Sequence, residues 1–125
     1  MNIDRHDQPR SFTVGFGPPV TMHDCAHIAL EPDEQVTFTT PGGGEYDVAR
    51  KSWGFYATPS LDRRLPSFGL HAMIVRNRDD HHFVVLVERG HDEAFRAYLD
   101  AERLTVVARL DRTDAVPSAC GDAAP

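Results

Sequence analysis

Residues 52–65 read Ser-Trp-Gly-Phe-Tyr-Ala-Thr-Pro-Ser-Leu-Asp-Arg-Arg-Leu and gather groups that could do chemistry, including the only tryptophan of the chain. A ring such as Trp53 can stack on a sugar or a base, and the Tyr56 hydroxyl can hold an oxygen beside it. Arg63 and Arg64 carry planar guanidinium forks that match phosphate oxygens two at a time. The pattern suits a site for a small anionic molecule, or for a protein partner. Read as a strand, the segment puts Trp53 and Phe55 on one face and Tyr56 with Gly54 on the other. Aromatics alternating along a strand equally suit a core, with the arginines in a solvated turn.

The run His23-Asp-Cys-Ala-His27 is the second constellation. In a strand, His23, Cys25 and His27 fall on one face, with neighbours on that face roughly 6–7 Å apart. Two imidazoles and a thiol at that spacing can converge on zinc or iron. Gly17, then His23 after five intervening residues, then His27 and Glu31, resembles the first cupin motif over about 15 residues. It departs from that motif in placing three residues between the histidines rather than one. A second motif is not evident, His71 or His82 being the residues that could supply its histidine. The resemblance implies a metal-dependent enzyme of the isomerase/epimerase or oxygenase type, acting on a sugar nucleotide or a small acid.

Other signals point to less. His71 stands in an apolar run beside Met73 and Val75, where an imidazole is either a hydrogen-bonded structural group or a general acid or base. Pro41-Gly-Gly-Gly44 is a hairpin loop and not a phosphate loop, since no Lys-Ser/Thr follows it. None of Ser11, Ser52, Ser60 and Ser67 sits in the strand–turn–helix elbow that exposes a nucleophilic serine.

Composition narrows the class. The chain of 125 residues carries a net charge of −6, against the positive field that nonspecific nucleic-acid binding needs. A basic patch at Arg63 and Arg64 survives that argument because fields act locally. No apolar run approaches the roughly 20 residues that span a bilayer. The polar start does not read as a signal peptide, and two cysteines make no disulfide framework. The expectation is a reduced, cytoplasmic, soluble protein. Its partner would be a small molecule, another protein, or a second copy pairing along a sheet edge.

The elements that must position these groups follow from periodicity. Residues 1–10 show none and read as a flexible N-terminus. Residues 112–125 are small and polar, too poor in apolar groups to offset their ordering entropy, and read as a disordered tail. Between them, 11–111 form one globular domain. Residues 22–30 and Gln35–Thr40 alternate as strands, Ser11–Phe16 reads as a short first strand and Tyr46–Ala57 as extended structure, with Gly- and Pro-rich turns between them. Phe68–Arg76 and His82–Glu88 carry apolar cores suited to strands covered on both faces. After Gly90, Asp92 is placed to cap a helix, and Ala94, Phe95, Tyr98 and Leu99 form its apolar stripe. Leu104–Leu110 is a last strand. The order predicts a β-rich α+β fold: a mostly antiparallel sheet, sandwich or half-barrel, with one C-terminal helix packed on it. The functional expectation is a noncatalytic binding or accessory protein working through 52–65, with the metal-dependent enzyme as the alternative.

Overall fold

A computed structural model describes residues 1–111. Among these residues eight strands form three antiparallel sheets. The first is a ribbon of β1 (Asn2–Val14) and β2 (Val20–Ala29). The second has β3 (Gln35–Thr39), β4 (Glu45–Lys51) and β5 (Gly54–Ala57) in that order. The third places β6 (Leu70–Arg76) between β7 (His82–Glu88) and β8 (Thr105–Arg109). The helices are the single turn α1 (Arg64–Ser67) and α2 (Asp92–Glu102). The chain is therefore β-rich, antiparallel and poor in helix, as its turns and alternation require. The expected tail, 112–125, lies outside the described residues.

The core sits where the second and third sheets meet α1. Leu65, Leu70 and Ala72 are its centre, with Tyr46, Leu86 and Leu110 packed around them. Strand β6, the central strand of its sheet, buries residues of both faces (Leu70 and Ala72, Met73 and Val75). Its neighbour β7 has an equally apolar sequence yet leaves Phe83 and Val84 exposed. Composition alone does not distinguish a central strand from an edge strand.

Three expectations change. The segment 1–10 is not a loose leader here: β1 begins at Asn2 and pairs with β2 along its length, broken by a register shift between Arg5 and Arg10. Its missing alternation has a physical cause, since the irregular stretch scrambles the period of two. Residues 46–57 are two strands, not one, folded back at Ser52-Trp53 so that Lys51 pairs with Gly54. Gly54 has φ of +148°, a conformation side chains rarely tolerate, which fits it for the residue leaving so tight a turn. At α2 the N-cap is His91, without a side-chain cap, and Asp92 and Glu93 serve as first-turn charges. Phe95 and Leu99 are only half-buried.

The ribbon is clamped at its turn. Glu102, at the end of α2, accepts hydrogen bonds from the Phe16 and Gly17 N–H groups at 2.5 and 3.0 Å. Arg78 and Arg103 each lie over the Phe16 ring, 4.4 and 4.9 Å from its centroid. Between clamp and body the strands pack mainly on each other. The pairs Val14–Val20, Phe12–Met22 and Ile3–Ile28 remain largely exposed on one face.

Candidate functional site

The β4–β5 hairpin builds the site anticipated at 52–65. Register aligns Gln35 with Ala49 and Ala49 with Tyr56, so these side chains share one face of the second sheet. Trp53 stands in the hairpin turn. With Tyr56, Lys51, Asp33 and Thr58 it borders an open groove of about 500 Å³ on that face. The turn therefore groups Trp53 with Tyr56, and Phe55 goes to the opposite face across from Arg50. The rings are not core: Trp53 is 70% exposed and Phe55 68%.

The cations of this segment are differently placed. Arg64 lies at the start of α1 and reaches Asp47 at 3.3 Å. Asp47 is buried, its side chain only 9% exposed, and its other oxygen accepts from the Thr37 hydroxyl at 2.6 Å. A carboxylate so enclosed needs a counter-charge. Arg64 supplies it, and also covers the Phe68 ring. Lys51 is held by Asp33 at 2.7 Å. Arg63 is exposed and has no ion pair among the described residues. Of the four residues expected to bind ligand, the structure brings Trp53 and Tyr56 together, commits Arg64 to the fold and leaves Arg63 on the surface.

His23, Cys25 and His27 lie on β2, where alternation puts them on one face, but each turns to a partner of its own. His23 Nδ1 meets the Ser11 hydroxyl at 3.1 Å, and the Cys25 thiol donates to the His23 carbonyl at 3.4 Å. His27 Nε2 is 3.2 Å from Asp24, and its ring packs edge-on against His6. Among the described residues no three His, Cys, Asp or Glu side chains are arranged to hold one metal ion. Strand alternation places the three on one face, and each is engaged by a partner of its own.

A constellation the sequence did not reveal lies on the third sheet. His71 Nδ1 is 3.0 Å from Asp111 Oδ2. Arg109 reaches the same carboxylate through Nε at 3.4 Å and Nη2 at 3.2 Å. Burial pushes the Asp111 carboxyl up, but the hydrogen bonds and charge of Arg109, with the His71 bond, outweigh it and hold the group below its ordinary value. The only signal in the sequence was His71 within an apolar run; Asp111, 40 residues on, read as the start of a polar tail.

Comparison of the chain with protein-family models, curated proteins and solved structures finds no match. No helix among the described residues is long and apolar enough to cross a membrane.

Proposed function

We propose that the chain is a noncatalytic binding protein that holds a protein partner through the β4–β5 hairpin, the partner adding an extended segment along the open edge of β5. The observation that carries this reading is the exposure of Trp53 and Phe55, at 70% and 68%, on opposite sides of a short edge strand. Large rings left in water cost free energy unless something covers them, and tryptophan is prominent among residues that dominate protein interfaces. Among the described residues strand β5 pairs only with β4, so its outer edge can take a further strand. A small anion is the weaker occupant of this segment, because Arg64 and Lys51 already neutralise Asp47 and Asp33.

The test compares the full chain with Trp53→Ser and Phe55→Ser. Both variants should keep the wild-type melting temperature and lose a protein that the immobilised wild type retains from its native lysate. Retention of that same protein by both variants, or a melting temperature lowered by more than about 5 °C, would refute the reading. Self-association of the wild type that both substitutions abolish would replace the partner by a second copy.

A further inference from the structure

Between α2 and the third sheet lies a cavity of about 380 Å³, within the range of small-molecule sites. Its chemistry differs from that of the rest of the molecule. In a chain of net charge −6, three arginines border it: Arg89, Arg96 and Arg109. Arg89 donates to the Pro66 carbonyl at 2.6 Å, which fixes the side chain without neutralising it. Arg96, one helical turn after Asp92, makes no ion pair among the described residues, although Asp92 also borders the cavity. Arg109 is matched by Asp111, whose side chain is 10% exposed. Two arginines with no carboxylate partner among the described residues thus border one cavity.

His71 also borders the cavity. Because Asp111 accepts from Nδ1–H, Nε2 is the nitrogen left for a ligand, and in the imidazolium its N–H donates to a phosphate oxygen. A carboxylate that holds one imidazole nitrogen fixes the tautomer and orientation of the other, the arrangement by which histidines are positioned for substrates. Met73, Phe95 and Leu99 supply apolar wall for the organic part of a ligand.

We infer that this cavity is a binding site for a small phosphomonoester, its phosphate held by Arg89 and Arg96, its ester group against Phe95 and Met73, and its oxygens within reach of His71. A tetrahedral dianion matches two separate guanidinium forks better than a planar monoanion does. Asp111 is a positioning residue that acts through His71. The site uses no residue of the β4–β5 hairpin, so it stands or falls independently of the protein-partner reading.

The experiment titrates phenyl phosphate into the full chain by calorimetry, with benzoate and phenol as comparators. Binding should be about tenfold weaker in Arg96→Ala and in His71→Gln, the loss expected for one charge-assisted hydrogen bond. Asp111→Asn should weaken phenyl phosphate by a similar factor while leaving the loss on Arg96→Ala intact. Arg63→Ala, outside the cavity, should change nothing. The proposal is overturned by no heat of binding up to about 10 mM phenyl phosphate, a ligand already weaker than most specific complexes. It is equally overturned by benzoate binding as tightly, or by an Arg63→Ala loss equal to that of Arg96→Ala, which would return the anion to residues 52–65. Arg96 is on the helix surface and its removal spares the core, so failure to fold does not obscure the outcome.

Discussion

Removing Arg64 should destabilise the protein, although its place in an exposed, charged turn suggests a dispensable side chain. The substitution Arg64→Ala leaves Asp47, 9% exposed at its side chain, with the Thr37 hydroxyl as its remaining side-chain partner. Stripping one partner from a fully buried ion pair costs about 3–5 kcal/mol. Here the Arg64 side chain is 52% exposed, so water can enter where the guanidinium was and recover part of that loss. Discounted for this screening, the cost is about 1–2 kcal/mol. With an unfolding entropy of ~2.1 cal/mol/K per residue over the described domain, that lowers the melting temperature by about 4–9 °C. The assay is thermal unfolding at neutral pH of the wild type, Arg64→Ala, Asp47→Asn and the double variant. The coupling between the two sites should be about 1 kcal/mol, since the second change costs little once the pair is broken. Arg63→Ala, adjacent but unpaired, serves as the control and should stay within ~0.5 kcal/mol of wild type. Arg64→Ala melting within about 1 °C of wild type, or a coupling near zero, would refute the assignment of Arg64 to the fold.

Two further outcomes follow from the geometry. A Cβ added at Gly17 would stand 2.6 Å from the Ala101 carbonyl oxygen and 3.0 Å from its carbon, both in the backbone of α2. Gly17→Ala should therefore cost about 1–3 kcal/mol, read as a lower urea midpoint at constant slope; an unchanged midpoint would mean the ribbon turn does not dock on α2. Asp111 has its folded pKa depressed, so its pairing stabilises the protein above the ordinary carboxylate pKa of about 4 and loses that contribution as pH falls below it through the lowered value. Asp111→Asn should accordingly melt below wild type at pH 7, with the gap closing as the pH is taken well below 4; a gap that persists undiminished in acid would count against the ionised pairing.

Much of the architecture is written locally. Alternation marked β3, continuous apolar runs marked β6 and β7, the turns separated them, and Asp92 through Leu99 marked α2. These signals survive because each depends on residues within a few positions of one another. Where a strand lies in its sheet is not such a property, and the apolar runs of β6 and β7 read alike although only β6 is central. Nor is the burial of a ring: Trp53 and Phe55 carry a pattern suited to a core, yet the turn at Ser52-Trp53 leaves both in water.

The candidate sites divide along the same line. The residue types of 52–65 were legible, but the fate of Arg64 was decided by Asp47, 17 positions earlier and visible only once β4 and α1 meet. The strand face shared by His23, Cys25 and His27 was legible too, while the contacts of His23 with Ser11 and of His27 with Asp24 and His6 were not. The pairing of His71 with Asp111 comes from register. Strand β6 aligns Met73 with Arg109 and Ile74 with Ala108, and the Leu110 N–H donates to the Ala72 carbonyl at 2.9 Å. Continued by one residue in each chain direction, that ladder sets His71 opposite Asp111. The sequence by itself determined that a histidine would lie in an apolar strand and that acids would follow the last strand. Only the antiparallel docking of β8 on β6 decided which carboxylate reached the imidazole, because opposite partners are chosen by the register of the whole ladder.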